Sequence, residues 1–140
     1  GLTPASLVDF HTRHKLMVLA HDQPAYRRLG RLVASAGERP MEQLAQEYET
    51  ELMQALKQKA NRRGHANVLY HLMGYLKMPL DSDDRLEIVD TIEQYRRGKV
   101  PLVVPLTLLQ HHFRRHPHPY VDQQYYLNPH PKDLMLRNTI

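Results

Sequence analysis

The chain has 140 residues and a mass of 16.4 kDa, with 41% hydrophobic and 24% charged residues, which is the size and balance of a single globular domain. It contains no cysteine, so disulfides, thiolate nucleophiles, cysteine-bound zinc and a self-sufficient iron–sulfur cluster are excluded. Its net charge is +4, and its apolar stretches, such as 16–20 and 102–109, are far too short to cross a bilayer.

Apolar positions recur at three- and four-residue steps, and no stretch sustains period-two alternation. The expected fold is therefore all-α, a single compact bundle of about six helices with a partly irregular C-terminal segment. Thr3 can cap a first helix opened by Pro4, carrying Leu7, Phe10, His14, Met17 and His21 on one face. Pro24 opens a second, with Tyr26, Leu29, Val33 and Ala36 inward and Arg27, Arg28 and Arg31 outward. A third runs from about Pro40 to Ala60 with Met41, Leu44, Tyr48, Leu52 and Leu56 on its apolar stripe. Gly64 interrupts the pattern, and a fourth helix is expected from about His65 to Lys77, with Gly74 allowing a neighbour to approach closely. Asp81 to Asp84 suit the start of a fifth helix, which the Arg96-Arg97-Gly98-Lys99 run ends. The Val100–Pro105 segment should be extended and buried, because each proline disfavours helix at the residue before it. Pro105 then opens a sixth helix to about Arg115. Beyond the His116-Pro117-His118-Pro119 punctuation come a helical turn at Tyr120–Tyr126, a loop, and a short helix at Lys132–Leu136. With no leader segment, a cytoplasmic location is expected, and the opening Gly1 fits a domain excised from a longer two-domain protein.

Charge is distributed in blocks: +3 over residues 1–37, −4 over 38–56, +5 over 57–80, −5 over 81–95 and +5 over 96–140. All ten histidines and six of the eight tyrosines fall in the positive blocks. Surfaces that mix Arg, His and Tyr neutralise phosphates and stack on bases, which points to RNA. The alternative is that the blocks are helix faces paired with one another across the bundle. The candidate phosphate contacts are Arg27, Arg28 and Arg31; then Lys59, Arg62, Arg63 and His65 around a helix start whose free N–H groups favour an anion; then Arg96, Arg97, Lys99, Arg114 and Arg115.

Other constellations are weaker. His11, His14 and His21 share a helix face, and Asn67 and His71 sit beside an apolar one, so these five residues could form a polar pocket or a buried structural network. The histidine pairs lack the accompanying carboxylate of a metal motif, so no metal site is assigned. Without a phosphate loop, nucleophile elbow or dinucleotide fingerprint, no catalytic residue is assigned either. An independent enzyme or metal-binding protein built on a histidine cluster, and a protein-interaction domain, remain the alternatives to RNA binding.

The run Phe10-His11-x-x-His14-Lys15-Leu16, continuing through Leu19-Ala20-His21 to Tyr26-x-x-Leu29-Gly30, resembles the opening of the YbgA-type domain family. The resemblance extends through Arg63-Gly64-His65-x-Asn67-Val68-Leu69-x-His71-x-Met73-Gly74-Tyr75, Tyr95-Arg96-x-Gly98-Lys99-Val100-Pro101-Leu102 and Leu134-Met135-Leu136-Arg137-Asn138. In that family the domain occurs alone or fused behind a thiouracil-desulfidase domain that looks like an eraser of 4-thiouridine in tRNA. The resemblance implies a non-catalytic tRNA-binding accessory domain that positions tRNA for a desulfidase domain in cis or trans. It implies no cofactor in this chain, the iron–sulfur cluster belonging to the fused partner, while the short apolar stretches lead to an expectation of no membrane partner.

Overall fold

The computed structural model describes residues 2–128. The expected helix at Lys132–Leu136 and the last of the resembling motifs lie outside the described residues. The helices are α1 (Pro4–His21), α2 (Gln23–Ala34), α3 (Met41–Lys57), α4 (Arg62–Met73), α5 (Ser82–Arg96), α6 (Val103–Arg115) and the four-residue α7 (Pro119–Asp122). A 3-10 turn, Gly74–Leu76, extends α4. Among the described residues there is no strand, only an isolated bridge between Ala36 and Arg39. The fold is all-α, as the periodicity predicts.

Local chemistry sets most boundaries. Thr3 accepts from the Ser6 N–H while the Ser6 hydroxyl accepts from the Thr3 N–H, a reciprocal cap for α1. Asp22, Asn61 and Asp81 cap α2, α4 and α5 through their side-chain oxygens. Asp83 and Asp84 favour the positive end of the α5 dipole, and Gly98, at φ +79°, makes the left-handed turn that ends this helix.

Two boundary expectations and one burial expectation are corrected. α4 begins at Arg62 rather than near His65, because Asn61 caps it by accepting from the Gly64 N–H at 2.8 Å. The Val100–Pro105 segment is not extended and buried throughout: α6 starts at Val103, and Val103 is 61% exposed. Pro105 is the third residue of that helix, where its missing N–H would have had no intrahelical partner. On α3, Leu56 is exposed and Ala55 is buried in its place.

Two apolar cores share α1. The larger joins Leu16, Leu19 and Ala20 to Leu69, Leu72 and Leu76 around α4, to Ile88, Ile92 and Tyr95 of α5, and to Leu109 and Phe113 of α6. The smaller joins Leu7 and Val18 of α1 to Ala25 and Leu29 of α2 and to Leu44, Tyr48 and Ala55 of α3. A close helix approach occurs between α1 and α4 at Gly64, not at Gly74 as expected. A Cβ on Gly64 would stand 2.0 Å from the Ala20 carbonyl oxygen, whereas Gly74 has nothing within 4 Å.

Candidate nucleic-acid interface

The close contact of Gly64 with Ala20 fixes the start of α4, and with it Arg62 and Arg63, at one end of the bundle. The Gly98 turn at the end of α5 comes to the same place: a side chain at Gly98 would meet the Arg62 guanidinium at 3.6 Å. Arg62 is also close enough to the buried Tyr95 for its charge to favour the phenolate, against the larger opposing effect of burial. Two clusters far apart in sequence thus meet, with exposed Lys59, Arg62 and Arg63 on one side and exposed Arg97 and Lys99 on the other. No carboxylate among the described residues forms an ion pair with any of these five cations.

Other predicted contacts fare differently. Arg96 is engaged by Glu93, with its Nη2 donating at 2.7 Å. Glu93 also accepts from the Tyr70 hydroxyl. The Arg96 bonds, and then Tyr70, push the Glu93 carboxyl down to about 2. On α2, Arg28 donates to Glu51 at 3.1 Å, while Arg27 and Arg31 stay exposed without an ion pair among the described residues. Pairing between blocks therefore accounts for some of the basic residues and leaves others uncompensated. Arg114 and Arg115 are exposed but belong to the opposite end of α5: the fields of Asp84 and Glu87, at its start, reach the neighbouring His112. α5 has 15 residues, so the two groups are separated by about 20 Å along it.

His65 is corrected. It is fully buried, on the stripe that also carries Leu69, Leu72 and Leu76, and its Nδ1 lies 2.5 Å from the Tyr126 hydroxyl. It is packed in the core beside Tyr126 and does not reach a ligand on the surface.

The residues expected to form one polar pocket have different partners. The buried His11 Nδ1 is 2.9 Å from the Tyr48 hydroxyl of α3. Burial, and secondarily the charge of Lys15, pushes His11 down to about 4, so it is neutral at pH 7. His14 lies against Phe10 at 4.3 Å and Tyr125 at 4.7 Å between ring centroids. His21 Nδ1 donates to the Gln58 carbonyl at 2.6 Å, tying the end of α1 to the end of α3. Asn67 is half-buried on α4, and His71, nearer the other end of that helix, lies 6.2 Å from the Tyr75 ring. Among the described residues no three His, Asp or Glu side chains are grouped to hold a metal ion.

A cluster that the sequence did not single out lies where α1, α2, the α4 extension and the residues around α7 meet. Lys15 Nζ stands 4.7 Å from the Tyr120 ring centroid. Tyr75 is 5.4 Å from Tyr120 and 4.7 Å from His118, centroid to centroid. Tyr26 is electrostatically coupled to Lys15, Tyr120 and Tyr75. Burial pushes all three phenols up, so none is a phenolate that would neutralise Lys15 at pH 7. The segment carrying Tyr120 is held to α1 by the Tyr125 N–H, which donates to the Arg13 carbonyl at 3.0 Å. The signal available in the sequence was that Lys15, Tyr26, His71 and Tyr75 all stand within the motifs of the resemblance.

On the other side of α1, an open groove of about 850 Å³ is lined mainly by Leu2, Leu7, Phe10, Met41, Tyr48 and Leu52, with Glu42 and Glu49 at its rim. Its acidic rim and apolar lining are unsuited to a polyanion. No described helix is long and apolar enough to cross a membrane.

The model of the family described as protein of unknown function (DUF1722) matches residues 15–131. A protein of Escherichia coli (strain K12) named Uncharacterized protein YbgA is 36% identical over 140 residues, covering 99% of this chain and 83% of its own. No solved structure matches. With the family model spanning most of the chain and this relative spanning nearly all of it, the chain belongs to the DUF1722 family, that of the YbgA-type domain.

Proposed function

We propose that this domain binds structured RNA, tRNA in the setting the family resemblance implies, and holds it for a desulfidase domain in cis or trans. The supporting observation is the convergence of Lys59, Arg62, Arg63, Arg97 and Lys99 at one end of the α4–α5 pair, none of them in an ion pair among the described residues. Cations gathered on a rigid helical end track a phosphate backbone, while the acidic faces of α3 and α5 restrict where a polyanion lies. On this reading the domain contributes capture and orientation, and the chemistry belongs to its neighbour.

The test is tRNA affinity across a salt series. Each phosphate neutralised contributes about 0.7–0.9 to the slope of log affinity against log salt, so full use of the five cations gives a slope near −4. Arg62→Glu with Arg63→Glu should flatten the slope by about 2 and weaken binding, while Arg114→Glu with Arg115→Glu should change it far less. Equal effects of the two double variants, or none from either, would refute the interface.

A further inference from the structure

Beyond the basic end, Lys15 is a half-buried cation whose described surroundings are aromatic rather than acidic. Tyr120, Tyr75 and His118 form a run of rings with centroid spacings of 5.4 and 4.7 Å, and His71 extends it at 6.2 Å from Tyr75. Of these, His71 is exposed and the other rings are half-buried, so the cluster borders solvent. Beside Tyr120, the fully buried Gln124 carboxamide has neither its nitrogen nor its oxygen in a hydrogen bond of ordinary geometry within the protein. It interacts with the Tyr120 hydroxyl and favours that group's ionised form, against the larger opposing effect of burial.

One ammonium in no ion pair among the described residues, beside several aromatic rings, matches a ligand that combines an anion with a flat ring. A nucleotide has both, with its phosphate for the lysine and its base for the rings. The location fits a strand already held at the basic end. α1 and α4 run antiparallel, with Ala20 against Gly64 and, further along, Lys15 within electrostatic reach of His71. Gly64 and His71 are separated by two helical turns, about 10 Å.

We propose that Lys15, with the rings of Tyr75, Tyr120 and His118, seats one unpaired nucleotide, its phosphate on the ammonium and its base against the rings. As a site on the bound RNA, this rests on the RNA reading above, but the seat is tested separately with mononucleotides.

The experiment titrates UMP, ribose 5-phosphate and inorganic phosphate into the full chain and follows the imidazole resonances of His71 and His118 by NMR. UMP should shift both at concentrations at least fivefold below those needed for ribose 5-phosphate. Lys15→Gln and Tyr75→Ser should each weaken UMP binding by fivefold or more. Base stacking on an aromatic side chain is worth enough that Tyr75→Ser should also weaken tRNA by roughly 5- to 100-fold. Lys15→Gln gives up only the contact of the ammonium with the Tyr120 ring and should lower the melting temperature by no more than about 3 °C, so it remains informative if Tyr75→Ser fails to fold. Equal responses to UMP and ribose 5-phosphate, or UMP binding unaffected by Lys15→Gln, would overturn the seat. Binding of tRNA that both variants leave intact overturns the seat and keeps the RNA reading. Binding of UMP without tRNA keeps the seat and removes the RNA reading.

Discussion

Replacing Gly64 by alanine adds a single carbon, and the structure sets what that carbon meets. It would lie 2.0 Å from the Ala20 carbonyl oxygen and 3.0 Å from the carbonyl carbon. Both are backbone atoms, so no side-chain rotation relieves the clash, and α1 and α4 must separate by more than about 1 Å to restore an ordinary contact. That separation opens the larger core along Leu16, Leu19, Leu69 and Leu72. Overpacking of this kind costs about 3 kcal/mol, against which the better helix propensity of alanine returns about 0.5–1 kcal/mol. With an unfolding entropy of about 2.1 cal/mol/K per residue, the net loss of about 2 kcal/mol lowers the melting temperature by roughly 7 °C. Gly30→Ala and Gly74→Ala are the matched controls. Both glycines have helical backbone and nothing within 4 Å, so each alanine should raise the melting temperature by about 2–3 °C. Thermal unfolding followed by far-UV circular dichroism reads all three. A Gly64→Ala protein melting within 2 °C of wild type would show that the α1–α4 spacing is not set by this glycine.

The remaining predictions concern pH, a buried pair and a surface carboxylate. His11 has a folded pKa near 4, below its unfolded value, so its contribution is complete above about pH 6.5 and is lost as pH falls toward 4, by up to about 3 kcal/mol. Urea unfolding at pH 7.5 and 4.5 should show that loss in wild type and a smaller one in His11→Gln; identical pH dependence in the two would count against it. Tyr48→Phe removes the hydroxyl that partners His11 and should cost about 1–3 kcal/mol at pH 7.5 in the same assay. Glu93→Gln releases Arg96 from its ion pair and should tighten tRNA binding about twofold at low salt, whereas weaker binding would show that Glu93 positions Arg96 productively.

Helices were legible where their ends carry their own chemistry. Thr3-Pro4, Pro24 and Asp81 are caps and starts that act within one turn, and the apolar spacing inside each helix needs no knowledge of its neighbours. The choice between Gly64 and Gly74 was not legible, because it depends on how closely Ala20 approaches from another helix. The burial of His65 was open to a stricter reading: its phase with Leu69, Leu72 and Leu76 puts it inside, but its place directly after Arg62 and Arg63 suggested a surface cluster. Five of the proposed cations lie together at one end, yet nothing local indicated that Arg62 meets the turn at Gly98 or that Arg114 and Arg115 stand elsewhere. Lys15 was visible as a residue, but its neighbour Tyr120 arrives from the far part of the chain through the hydrogen bond of Tyr125 to Arg13.

The sharing of α1 between two cores makes the domain unequal in its resistance to opening. α3 packs mainly on α1 and α2 and contributes only to the smaller core, while α4 is enclosed by α1, α5 and α6. Amide exchange should therefore be fastest through the α3 side and slowest in α1 and α4, whose release requires both cores or the larger one to come apart. The helix carrying Lys15 and the helix opened by Arg62 thus form the most persistent part of the molecule, and α3 can loosen and reclose while the larger core that joins them stays intact.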